Sequence, residues 1–183
     1  MSVLVTPFAA PRGDAEATRF AEALTRDLVS RLGRVTGWAG RLRVVAFQSD
    51  SAADVTDPRV LAQRFNTRYV LRGNILRSGE SSTVDLLLVD AATREQVWSK
   101  RLPVQDVDIL GQSSANLRSL VVELHAAVIA AEMRRVAAQP LPDLTAPELV
   151  LRAIASFGKD SSVAGVAEAR KLLEMALQLL ILT

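Results

Sequence analysis

The sequence predicts an α/β (α+β) chain, with a mixed sheet that contains an antiparallel meander, helices flanking it, and a C-terminal helical hairpin. Three observations carry that expectation. Short β-favouring runs alternate with apolar patterns of three- and four-residue spacing through the first half. Three strand-like runs between Tyr69 and Leu102 are joined only by tight connections. A Pro-rich joint, Gln139-Pro140-Leu141-Pro142-Asp143, then precedes two further amphipathic patterns.

Val3-Leu4-Val5-Thr6-Pro7-Phe8 is a short apolar run closed by proline, which reads as a buried strand. Pro11-Arg12-Gly13-Asp14 breaks the chain and starts a helix, Asp14 being able to accept from free first-turn amides. Ala17, Phe20, Ala21, Leu24, Leu28 and Leu32 then mark one face of that helix, which should end near Gly33. Leu42 to Phe47 is a second strand, after a Gly-rich loop that carries Trp38. Asp57-Pro58 opens a short helix through Val60, Leu61 and Phe65, because proline tolerates a first turn.

From Tyr69 the residues Tyr69, Leu71, Gly73 and Ile75 alternate with Val70, Arg72, Asn74 and Leu76, a strand with at least one wet end. Gly79-Glu80-Ser81-Ser82 turns the chain into the run Val84–Val89, and Asp90-Ala91-Ala92-Thr93 turns it again before Val97-Trp98. Such short connections imply an antiparallel meander. A long helical pattern runs from about Ile109 to Ala138, with Leu117, Val121, Leu124, Val128 and Ala131 along one seam. A second stripe, Val122, Ile129, Met133 and Val136, lies away from it, so this helix calls for two covers. The expected organisation is therefore an α/β domain over 1–138, a linker at 139–144 and a helical hairpin over 145–183. Thr145-Ala146-Pro147-Glu148 is a capping box at the start of that hairpin. Its second helix presents Ala169, Leu172, Leu173, Ala176, Leu177 and Leu180.

The composition narrows the chemistry. At 183 residues and 49% hydrophobic the chain can bury a core, one built mostly from Leu, Val and Ala because aromatics are only 4%. A formal charge of +2 is too small to argue for nucleic acid, so direct nucleic-acid binding is not expected. Nineteen of the 22 basic residues are Arg, and Arg41, Arg43, Arg59, Arg64, Arg68, Arg72 and Arg77 crowd one stretch, where a solvated face outweighs an anion-binding patch. The absence of cysteine removes disulfides, thiolate nucleophiles and Cys-ligated metals. No leader and no apolar stretch of membrane-spanning length is apparent, which suits a cytoplasmic location, or a periplasmic one within a longer exported or membrane-anchored chain.

Each candidate for chemistry has a plainer explanation. Asp90 and Thr93 form the type of bend in which side chains accept from nearby amides. His125, the single histidine, lies inside the long helix with Glu123 pointing elsewhere, and reads as packing. Gly73 within a strand marks a bulge or a close backbone approach. Asp50, Asp54 and Asp57 match no calcium-loop spacing. Arg72, Asn74 and Trp98 are the candidate ligand-binding residues, although a strand Trp more often packs than binds. No catalytic set, metal site or cofactor motif is expected.

The order of motifs carries a resemblance. Val3–Phe8, Phe20-Ala21-Glu22-Ala23-Leu24-Thr25-Arg26-Asp27-Leu28, Arg68-Tyr69-Val70-Leu71-Arg72-Gly73-Asn74-Ile75, Val89–Thr93 and Val97-Trp98-Ser99-Lys100-Arg101 together resemble the TolB amino-terminal-like domain, over roughly residues 1–135. Ala146–Ala153 and Ala169–Leu177 are similar to the two helices of a tetratricopeptide repeat, here single or truncated. Arg94 stands where the bend of that domain usually has glycine, and Leu180-Ile181-Leu182-Thr183 replaces the Asp-Pro that usually closes the repeat.

The resemblance implies a piece of a bacterial signalling protein, since such domains sit beside class III adenylate cyclase or winged-helix DNA-binding domains. A non-catalytic regulatory or protein-interaction role follows, with a regulatory fragment of a cyclase or transcription regulator, or a small-ligand or anion sensor, as alternatives. A protein partner or self-association would use the C-terminal helices, with Val122, Ile129, Met133, Leu173, Leu177 and Leu180 as the contact residues. Membrane insertion is not expected.

Overall fold

The computed structural model describes residues 1–37, 40–47, 57–78, 81–103 and 114–181. Trp38, Asp50, Asp54, the turn residues Gly79 and Glu80, and the expected helix start at Ile109 lie outside the described residues. The chain divides into two compact units, Met1–Val128 and Ile129–Thr183.

In the first unit, β1 (Ser2–Val5) is followed by α1 (Ala15–Leu32), the short antiparallel pair β2 (Thr36–Gly37) and β3 (Gly40–Arg41), β4 (Arg43–Ala46) and α2 (Pro58–Phe65). The meander β5 (Tyr69–Ser78), β6 (Ser81–Asp90) and β7 (Gln96–Pro103) comes next, and then the first part of α3 (Ser114–Ala138). The strands β1, β4, β5, β6 and β7 form one mixed sheet in the order β4-β1-β5-β6-β7. β1 is parallel to both of its neighbours, whereas β5, β6 and β7 are antiparallel.

The sequence explains why β1 is central. Val3, Leu4 and Val5 are all completely buried, so both faces of that strand are covered, as an inner parallel strand requires. Register pairs Leu4 with Val45 and Val70, and α2 covers that face with Leu61 and Ala62, joined by Ala91, Phe47 and Phe65. The opposite face carries Val3, Val5, Tyr69, Leu71, Gly73 and Ile75, which continue across β6 as Leu88, Leu86 and Val84. All of the β6 residues in that row are buried.

After β1 the chain does not leave the sheet at once. The Thr6 amide donates to the Leu71 carbonyl at 3.0 Å, the Ala9 amide to the Gly73 carbonyl at 2.8 Å, and the Ile75 amide to the Ala9 carbonyl at 2.8 Å. Phe8 is thereby laid flat over Gly73, where an added Cβ would stand 2.5 Å from the ring carbon Cγ. Gly73 is a close-approach glycine, as its place inside a strand suggested. The Phe8 amide also donates to the Thr25 hydroxyl of α1 at 3.2 Å, which ties the same segment to the helix. Asp14 caps α1 by accepting from the Ala17 amide at 2.9 Å, and Asp57 caps α2 by accepting from the Arg59 amide at 2.9 Å.

The second unit contains the rest of α3, a single 3-10 turn (Leu141–Asp143), α4 (Ala146–Lys159) and α5 (Val163–Ile181). Its helices are joined by a charged network. Arg135 donates to Glu132 at 2.7 Å, to Gln139 at 2.6 Å and to Glu148 at 2.5 Å. Arg152 of α4 donates to the carbonyls of Val136 and Gln139, at 3.1 and 2.6 Å, which supplies partners to the otherwise orphan carbonyls at the end of α3. Glu148 completes the capping box by accepting from the amide and the hydroxyl of Thr145, at 2.9 and 2.7 Å. α5 lies against α4 through small residues, Gly165, Ala169 and Ala176, together with Leu172. A Cβ on Gly165 would overlap the carbonyl oxygen of Asp160, so this hairpin turns too tightly for any larger residue.

Two predictions follow from these contacts. Gly73→Ala should lower stability by about 1–3 kcal/mol, the usual cost of overpacking, read as a fall in Tm. Adding Phe8→Leu to Gly73→Ala should recover part of that loss, and an additive double variant would disprove the contact. The second concerns acid. Burial pushes the Glu148 carboxyl up, but hydrogen bonds from Thr145 and the Arg135 guanidinium outweigh it and hold the group at about 2. A carboxyl depressed in the folded state stabilises above its ordinary value near 4.5 and loses that contribution as pH falls from 4.5 through 2. Glu148→Gln should therefore cost about 2 kcal/mol at neutral pH, after allowance for solvent screening, and flatten that part of the stability–pH curve. Urea titrations from neutral to acid pH check it.

Candidate functional site

The ligand candidates of β5 lie on the face of the sheet that α2 covers only in part. Register places Arg72 beside Leu87 and Ser99, and Asn74 beside Asp85 and Arg101, in two rows across the meander. With the neighbouring backbone they line an open groove of ≈ 590 Å³. Trp98 is not part of it. Its register partners are Leu88 and Leu71, so alternation turns it to the opposite face, where it is half-buried. The structure therefore brings Arg72 and Asn74 together and separates Trp98 from both.

The groove's electrostatics are largely internal. Asp85 accepts from the Nη2 of Arg101 at 2.6 Å, with a second contact from Nε of the same side chain. The hydrogen bond from Arg101 holds the Asp85 carboxyl below its ordinary range. Lys100 points to the other face and donates to both carboxylate oxygens of Glu123 in α3, at 2.7 and 2.6 Å. The hydrogen bond from Lys100 likewise lowers Glu123. Asp85, Ser99 and Arg101 were not singled out from sequence, although the pairing of β5 with its neighbours would have placed them beside Arg72 and Asn74. As it stands, this is a mixed-charge surface on the wet side of a sheet.

The crevice beside the C-terminal end of β1 is where an open α/β sheet would most often hold a ligand. Here Thr6–Ala9 and the Phe8 ring occupy the space against β5. The same segment that fastens the strands together fills that position.

The Asp90–Thr93 bend is held by its own side chains. One Asp90 carboxylate oxygen accepts from the Ala92 amide at 2.9 Å and more weakly from Thr93, while the other accepts from Arg68 at 2.8 Å. The Arg94 amide donates to the Asp90 carbonyl at 2.8 Å, and the Asp90 amide to the Glu95 carbonyl at 3.0 Å. Arg94 has φ 66°, the left-handed region that favours glycine, and its guanidinium reaches Asp57 at 3.0 Å. Arg59 of α2 also donates to the Ala92 carbonyl, at 3.0 Å. Each group is committed to joining the bend to itself, to α2 or to the start of β5, as the structural reading of this stretch expected.

His125 is buried, and desolvation lowers its pKa from the ordinary value, which favours the neutral ring. No group of three or more His, Asp or Glu able to hold a metal is found among the described residues.

The candidate partner residues separate. Val122 is exposed, in the first unit. In the second unit Ile129 is buried and Met133 half-buried, whereas Leu173, Leu177 and Leu180 stand exposed along α5. Val163, Val166 and Ile181 extend that exposed stripe; Ile181 belongs to the apolar end of the chain, whereas Val163 and Val166 were not anticipated, although the four–three spacing onward from Val166 is visible in the sequence.

No family model matches the chain. It is similar to "Putative adenylate cyclase 3" of Rhizobium meliloti (strain 1021), 29% identical over 97% of this chain and 30% of that protein. The chain thus spans about a third of the length of the curated relative it matches. Among solved structures it is similar to lipoprotein GNA1162 from Neisseria meningitidis, at TM-score 0.47 and 18% identity over 68% of this chain and 96% of that one. TolB from Acinetobacter baumannii gives TM-score 0.45 and 15% identity over 69% and 28%. The LpoB C-terminal domain from Escherichia coli gives 0.41 and 16% over 55% and 78%.

Replacing Asp90 tests the bend. Asp90→Ala removes three accepted hydrogen bonds at a buried position and should cost about 2–4 kcal/mol. Asp90→Asn retains an oxygen for the two amides and should cost about half as much, as compared by thermal or urea denaturation. Equal losses would show that the Arg68 pair, and not the turn, dominates.

Proposed function

We propose that this chain is a non-catalytic regulatory and protein-interaction segment of a larger bacterial signalling protein of the adenylate cyclase type, acting in the cytoplasm. One observation carries the reading: nearly the whole chain aligns with less than a third of a relative described as an adenylate cyclase. The architecture supports it. The charged groups of the Asp90 bend, of the Asp85–Arg101 pair and of the Arg135 network serve turns, strand pairs and helix joints. What the C-terminal hairpin offers to solvent is an apolar helix face, which suits contact with protein. No helix of the described residues is long and apolar enough to cross a membrane.

The purified chain should not convert ATP to cyclic AMP. Deleting the matching stretch from the Rhizobium meliloti protein should change the regulation or assembly of its output while leaving the remainder folded. Cyclase activity in the isolated chain would exclude the non-catalytic role. An output unchanged by the deletion would exclude the regulatory one.

A further inference from the structure

We infer that two copies of this chain pair through α5, along the exposed stripe formed by Val163, Val166, Leu173, Leu177, Leu180 and Ile181. At about 100° per residue these six side chains fall within an arc of roughly 100° on the helix. The residues buried against α4, Gly165, Ala169, Leu172 and Ala176, lie on the adjoining arc. α5 is thus apolar around more of its circumference than α4 alone can cover. Their exposures of 89, 46, 41, 58, 63 and 82% are far beyond the scattered single residues of an ordinary surface.

The area and the charge favour a second copy. The six exposures are equivalent to nearly four wholly exposed side chains, or roughly 400 Å² of apolar surface on each copy. Two such stripes in full contact would bury at most about 800 Å² of apolar area, which at the usual apolar share corresponds to an interface of up to about 1,300 Å², the lower part of the range for specific complexes. The stripe also asks no opposite charge of its partner. Arg170, the one ionic residue within the arc, is paired with Glu174 of its own helix at 2.8 Å. Two identical neutral stripes therefore meet without repulsion. The spacing from Val166 through Arg170, Leu173 and Leu177 to Leu180 is the four–three ladder by which like helices interlock. A two-fold pair of identical surfaces is the commonest way such a patch is closed.

This gives the interaction surface of the proposed function a specific occupant, and it can fail without that function failing. Sedimentation velocity and light scattering on the full chain, from low to high micromolar concentration, should show a monomer passing to a dimer. Leu173→Glu and Leu177→Glu, at exposed positions where the fold tolerates charge, should each shift that transition at least tenfold upward with unchanged circular dichroism. Glu168→Lys, on the polar side of α5, should leave it in place. A chain that stays monomeric throughout, or a dimer that neither glutamate variant weakens, would overturn the inference. The cyclic AMP assay and the deletion test would be untouched by either result.

Discussion

The close contact of Phe8 with Gly73 is the constraint from which the rest of the first unit follows. β1 is only four residues long and must hold a parallel neighbour on each side. Its own ladder is too short to fasten β5, so the chain beyond it continues the pairing through Thr6 and Ala9. That continuation needs the aromatic ring to lie on the strand, and only a residue without a Cβ leaves room for it. The same segment bonds to Thr25, so the position of α1 on that face depends on it too. Filling the crevice at the end of β1 removes the place where comparable sheets bind ligands, so rigidity here is gained at the expense of a pocket.

A second principle is the use of arginine as a joint. Arg68 reaches the Asp90 bend, Arg94 and Arg59 connect that bend with α2, and Arg135 and Arg152 knit the end of α3 to α4. Guanidinium groups suit this role because one planar fork can serve several acceptors. It explains an arginine-rich composition in a chain whose net charge is close to zero. Arg94 shows the compromise most clearly. It occupies a left-handed backbone position at a cost of about 1–2 kcal/mol, which its exposed pair with Asp57 offsets only in part.

Much of the local structure was legible because it depends on neighbours in the chain. The caps at Asp14, Asp57 and Thr145, the end of α1 at Gly33, the three strands of the meander and the turn role of Asp90 rest on hydrogen bonds that reach five residues at most, or on simple alternation. The three ligand candidates Arg72, Asn74 and Trp98 fall on two faces of the sheet, which sequence could not show. Sequence order cannot show which face a residue of β7 shares with one of β5 until the register is known, and one residue of slip reverses every side chain. Here β7 carries an irregularity opposite Leu88 and Val89 that sequence does not announce.

By itself, then, the sequence determined the strands of the main sheet, the caps of α1, α2 and α4 and the apolar stripes of α3 and α5, because these rest on periodicity and short-range hydrogen bonding, whereas the small β2–β3 pair reads in sequence only as a Gly-rich loop. Tertiary structure alone decided that β1 lies between β4 and β5, that Phe8 closes the crevice, that Ile129 is buried and that Leu173, Leu177 and Leu180 are not. The physical reason is that burial is a property of pairs of surfaces. A stripe of leucines states that something must cover it, and only the packing of the other elements shows which part is still uncovered.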